Sequence, residues 1–341
     1  MQVPHTLPKE PPRSRSSDLS PRPVPYLAAA HKSQFLRAVD VLATVYLVGT
    51  GVLLLPGCTS TWMYPLCIGL HVVAIVGIVT LARARSLPLP LQAIRDLYPV
   101  LLLLILYGEV DLLVKLVHDP PGFDAMVQQW DHWLFGGHPH RYLAVWLSGP
   151  GWREVFHLFY LSYYLLVVGA FFAIWLRKPA SLPRFAFVVT GMFVSFLAIF
   201  VAFPVAGPLS APGVSLMTDG LFPSLVAQIY APLTVNGIHS GAFPSSHVGM
   251  SVGIALLLAP RSWTSRIGLG LLVLGITAST VYGHFHYAID AVAGLLAGGI
   301  LYVVWDRLYT TLRPGQTQGG ERTQTCRSLG SASTLVASGE R

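Results

Sequence analysis

Long apolar runs separated by short polar loops set the pattern of this chain. A membrane-spanning helix needs about 20 mostly apolar residues. Eight stretches approach that length: 39–56, 62–82, 97–118, 154–176, 185–203, 245–260, 266–283 and 287–309. Several are short, which predicts tilt or partial burial. With no strand-like alternation between them, the pattern predicts an all-α integral membrane protein, a bundle of about eight transmembrane helices. Two N-terminal helices (37–94) precede a six-helix core (95–310). Between the third and fourth runs lies "DPPGFDAMVQQWDHWLFGGHPHRYLAVWLSGPGW", whose Trp and His content predicts a short helix at the membrane interface. Residues 1–36, rich in Pro, Ser and Arg, and the polar residues 311–341 read as disordered cytoplasmic tails.

Composition sharpens this picture. The chain has 341 residues, 53% of them hydrophobic and only 11% charged, where soluble domains carry about 25% charged residues. The net charge of +7 raises nucleic acid as a partner, but its distribution excludes that reading. Nineteen of the 22 Lys and Arg residues fall in the tails and in the alternate loops on one side. That bias makes their side cytoplasmic, with both termini inside. The other side holds Arg141 and Arg153, with Lys115 near a helix end. Cys58, Cys67 and Cys326 are scattered and read as neither a disulfide framework nor a zinc site.

The candidate chemistry gathers at the extracytoplasmic ends. "GAFPSSHVGM" places Ser245, Ser246 and His247 at the mouth of the sixth helix. Free N–H groups and the positive dipole end make such a mouth an anion site, and the two serines add hydroxyl donors. In "STVYGHFHYAIDAVAG", His286 and Asp290 are four residues apart and share a helix face. A carboxylate inside an apolar helix is expensive unless paired, and a structural His–Asp bond would satisfy it. With His247 on the same side, the set also suits covalent transfer: a nucleophilic His, an orienting Asp and a second His for proton transfer.

These residues resemble a family. "PSSH" followed about forty residues later by "HYAID" is similar to the second and third signatures of the type 2 phosphatidic acid phosphatase superfamily. "WDHWLFGGHP", "FPVAGP" and "TVYGHFHYAIDAVAG" resemble its inositol phosphorylceramide synthase-like (inositolphosphotransferase-like) branch, over roughly residues 95–310. The resemblance implies that His286 attacks phosphorus to give a phosphohistidine-like intermediate, that Asp290 orients it, and that His247 protonates the leaving oxygen and then activates water or an acceptor alcohol. No metal or other cofactor is implied, and the implied partner is a phosphorylated lipid; a plasma or bacterial inner membrane is the default location, with an endomembrane the alternative. Two departures stand out. The family's basic signature is missing from the loop 203–213, where Leu209 follows Gly207-Pro208, and Thr280 stands where an Arg precedes the third-signature histidine.

Phosphoryl transfer needs its negative charge compensated. Lys115, Arg141 and Arg153 are the candidate cations, with His284 a further substrate-binding candidate. Lys115 and Asp111 also suit a buried pair, and the arginines suit interfacial anchors. His71 and His157 read as core histidines; Tyr160, Tyr163 and Tyr164 read as packing by default, with the lining of a polar path as the alternative. Glu109 demands a polar partner that the sequence does not name. Two rival readings are a haem- or metal-binding membrane protein using "HPH" (His138, His140) and "HFH" (His284, His286), and an inactive lipid-binding scaffold.

Overall fold

The computed structural model describes residues 37–84, 87–118, 122–235, 240–260 and 262–312. The tails expected at either end, and with them the placing of both termini, lie outside the described residues. Within these there are twelve α-helices and no strand. They run α1 Ala38–Leu54, α2 Met63–Arg83, α3 Leu89–Tyr107, α4 Val110–Val117, α5 Asp124–Phe135, α6 Pro139–Trp146, α7 Pro150–Arg177, α8 Leu182–Ala202, α9 Leu221–Val235, α10 Ser246–Leu258, α11 Trp263–Tyr282 and α12 Ala288–Leu312.

Six of these, α1 with the turn that follows it, α2, α7, α8, α11 and α12, are long and apolar enough to cross a membrane. Their outward faces expose Val45, Leu165, Leu271 and Ile300, a surface that lipid solvates and water does not. The protein is an all-α integral membrane protein. At its centre stands α8, apolar all round as a fully surrounded helix must be. Its most apolar window is 67% buried, against 33% or less for the other five. Phe185, Phe196 and Phe200 fill the space between it and its neighbours.

Four segments depart from the expected pattern. The run 97–118 divides at Gly108, and Glu109 becomes the N-cap of the short helix α4. The sixth run forms only 13 helical residues. The basic-free loop 204–245 contains a helix of its own, α9. The interfacial loop forms two short helices, α5 and α6, where one was expected.

Candidate active site

The site is set by how closely α10 and α12 cross. A Cβ added at Gly294 would come 2.5 Å from the Ser245 carbonyl oxygen, and one at Gly298 would come 2.5 Å from that of Gly249. Only glycine permits this approach. The reward is a direct backbone bond, Ser245 N–H to the Asp290 carbonyl, at 2.9 Å. Ser245 caps α10, accepting from Val248 N–H at 3.4 Å. Pro244 sits one residue before that cap, not at the first helical position. His247 therefore lies in the first turn of α10, beside the start of α12.

His286 reaches the same place from the turn between α11 and α12. Thr280 makes that turn: its carbonyl accepts from both Phe285 and His286 N–H at 3.1 Å. The two imidazole centroids are 5.9 Å apart. His286 is 3% exposed, and its Nδ1–H donates to the Ala242 carbonyl at 2.8 Å. That bond fixes the tautomer and leaves Nε2 as the nitrogen for a ligand. Asp290 stands 3.7 Å from the same Nδ1, too far for a hydrogen bond. Its Oδ2 accepts instead from Tyr287 N–H at 2.8 Å. The group that orients His286 by direct contact is thus a carbonyl, with the Asp290 carboxylate behind it as a charge.

On His247, Nε2 lies 3.1 Å from the Tyr160 hydroxyl, which lies 3.2 Å from that of Tyr230. The buried Nδ1 has no hydrogen-bond partner among the described residues. Tyr163 and Tyr164 flank the same ring, at 4.5 and 6.1 Å between centroids. Tyr160 is fully buried and stacks on Phe285 at 4.2 Å. "FYLSYY" thus sets three tyrosine rings around His247, with the Tyr160 hydroxyl against its Nε2.

The interfacial helix α5 holds the site from outside. Asp124 takes the N–H groups of Ala206 and Gly207, both at 2.9 Å. Val205 in turn accepts from Ala242 N–H at 2.8 Å, and Ala242 carries the carbonyl that holds His286. Asp131, fully buried, accepts from Ile289 N–H at 2.9 Å at the start of α12. Burial pushes the Asp131 carboxyl up, offset only in part by the Ile289 N–H bond and by nearby His138. Neither acid was singled out from sequence, because an aspartate in a polar loop looks like a solvated one.

The remaining candidates lie apart. Arg153 pairs with the exposed Asp219 at 3.1 Å. Arg141 is exposed, beside the outer histidines. Lys115 is exposed on α4, and Asp111 takes the Ser240 hydroxyl at 2.5 Å. Among the described residues no ion pair joins Lys115 to Asp111. His284, at φ +63°, turns away from His286 and meets His140, their centroids 5.8 Å apart. Burial, then the neighbouring His284, lowers His140 to about 4, and burial lowers His284 as well. Thr280 is buried, and Leu209 packs with Tyr160 and Phe285, so neither supplies a substitute charge.

A family model described as the PAP2 superfamily matches residues 125–304, more than half of the chain. The chain belongs to that superfamily, which makes it an enzyme of the phosphatase kind. No curated protein and no solved structure matches it. The matched range begins inside α5 and takes in His247, His286 and Asp290, leaving α1 to α4 outside.

Proposed function

We propose that this PAP2 superfamily member takes the phosphoryl or phospho-headgroup of a phosphorylated lipid and passes it, through His286, to an alcohol or to water. The observation that carries this reading is the paired imidazoles: two rings 5.9 Å apart at one mouth, each with one nitrogen held by the protein. A phosphoryl group bound at Nε2 of His286 lies within reach of His247.

In the first half-reaction Nε2 attacks phosphorus. The N–P bond forms, the bond to the leaving oxygen breaks, and protonated His247 gives that oxygen its proton. In the second, neutral His247 takes the proton of water or an alcohol as its oxygen attacks phosphorus, and the N–P bond breaks. Asp290 favours positive charge on His286 while it is phosphorylated. Free N–H groups at the start of α10 and the hydroxyls of Tyr160 and its neighbours stabilise the phosphoryl oxygens, in place of the missing guanidinium groups. The Lys and Arg bias puts this mouth on the extracytoplasmic side. The inositol phosphorylceramide synthase-like motifs favour an alcohol acceptor over water.

Purified protein in detergent, given a lipid monophosphate with labelled phosphorus and quenched rapidly, tests the reading. The expected result is an acid-labile, alkali-stable label on the peptide containing His286, absent from His286→Ala. Turnover by His286→Ala at the wild-type rate would refute it. Product analysis with and without a long-chain alcohol separates transfer from hydrolysis.

A further inference from the structure

A second polar cluster lies outside the matched range, where α1 and α2 meet the break between α3 and α4. Cys67 and His71 are one turn apart on α2 and share a face. Glu109 arrives from the N-cap of α4. Its Oε2 lies 2.6 Å from His71 Nε2 and 3.5 Å from Cys67 Sγ, and Sγ lies 3.8 Å from Nε2. Among the described residues this is the group of three His, Cys or acidic side chains whose donor atoms converge, all within 4.8 Å. The outer histidines His132, His138, His140 and His284 form a row of ring contacts instead.

Two further observations point to a ligand. His71 Nδ1–H donates to the Leu47 carbonyl at 3.1 Å. That is the outer contact metal-binding histidines almost always make, and it aims Nε2 into the cluster. Glu109 is 3% exposed, and its Oε1 is buried without a hydrogen-bond partner. Tyr46 stands beside the same carboxylate. A His71–Glu109 ion pair by itself would answer one carboxylate oxygen and leave the other unanswered, at a depth where that is costly.

We propose that Cys67, His71 and Glu109 bind a divalent cation of the zinc class, tying α2 to α4. In a tetrahedral zinc site with bonds of about 2.0–2.3 Å, ligand atoms stand about 3.3–3.8 Å from one another. Two edges of the cluster, 3.5 and 3.8 Å, are already near that spacing. The third, 2.6 Å, is a hydrogen bond that opens when the cation replaces its proton. Thiolate and carboxylate together carry two negative charges and the imidazole is neutral. A dication therefore makes the site neutral, the state an apolar surrounding favours. Binding releases two protons, one from the thiol and one shared between His71 and Glu109. The fourth position falls to Glu109 Oε1 or to water. Mixed sulfur, nitrogen and oxygen donors select zinc-like ions over magnesium or calcium, and Cys67, half-exposed, gives access from the helix surface.

The test is to strip the full-length protein in detergent with a chelator and titrate it with Zn²⁺ or Co²⁺ alone. Expected are one ion per chain, about two protons released per ion, and a cobalt spectrum with tetrahedral and thiolate-to-metal bands. Cys67→Ser and Glu109→Gln should each weaken binding by more than about tenfold, with the thiolate band lost in Cys67→Ser. Cys67→Ser is nearly isosteric, so it still reports if His71→Ala fails to fold. No binding by the wild-type chain, or equal binding by Cys67→Ser, overturns the proposal. His286→Ala should bind the ion normally, so this test and the phosphohistidine test fail independently.

Discussion

His286 and His71 begin alike and end differently. Each is buried, and each has Nδ1 held by a backbone carbonyl, Ala242 at 2.8 Å and Leu47 at 3.1 Å. The difference is what the other face of the ring meets. His71 Nε2 has a carboxylate oxygen at 2.6 Å and a thiol nearby, a set of anionic donors that attracts a cation. His286 instead faces another imidazole, that of His247, and the Asp290 carboxylate stands behind its Nδ1. Among the described residues no carboxylate pairs with Nε2, which suits the ring to an anionic substrate. On the two proposed readings, the same backbone contact prepares one histidine as a ligand and the other as a nucleophile.

The comparison breaks most visibly if the two rings respond alike to substitution. His286→Ala should lower turnover of a lipid phosphate by at least about a thousandfold, since it removes the attacking atom. His247→Ala should cost about 10²–10⁴-fold, the range for a positioned acid–base group. Groups that act as a unit are non-additive, so the double variant should be no slower than His286→Ala alone. Steady-state rates measured beside zinc titrations check this, with zinc uptake unchanged throughout.

A smaller effect sharpens the contrast in how the partners are brought together. Cys67 and His71 share one helix, whereas His247 and His286 depend on two helices touching. Gly294→Val drives a side chain at the Ser245 carbonyl. It should destabilise the protein by about 1–3 kcal/mol, the usual cost of overpacking, and reduce turnover with it. At Gly299 an added Cβ meets nothing within 4 Å, so Gly299→Ala should do neither. Thermal melts in detergent and initial rates distinguish the two.

The smallest effect concerns a histidine with neither kind of partner. His140 is buried among other rings and held at about 4, below the ordinary value of about 6.5. The folded form therefore binds fewer protons than the unfolded form between those values. The stability that neutral His140 contributes is fully present above about pH 6.5 and is lost as pH falls toward 4. Melting temperature should drop across that window, and His140→Gln should flatten the drop.

Helix existence was legible wherever an apolar run was long enough to span, as in α1, α2, α7, α8, α11 and α12. The break at Gly108 was not, because a single glycine weakens a helix without by itself ending it. Nor was α9, which a basic-free loop concealed. That His247, His286 and Asp290 come together was legible because short spacings at helix mouths carry chemical meaning. Tyr160 was not, since tyrosine in an apolar helix packs by default, and which hydroxyl meets a histidine depends on how helices are rotated. Glu109 announced a buried partner without naming it. Cys67 lies 42 residues away in sequence, and only the fold makes them neighbours.

Sequence by itself determined that this chain is helical and membrane-embedded, and which of its helix ends are polar. Apolar length, charge bias and i,i+4 spacing are local properties that survive without a fold. The tertiary structure decided which atoms meet. It gave the tautomer of His286 to a carbonyl rather than to Asp290, and the back of His247 to a tyrosine. It also closed Cys67, His71 and Glu109 into a set of donors. Contacts of that kind depend on the distance and rotation between helices, which the glycines at the α10–α12 crossing permit and the packing around α8 fixes.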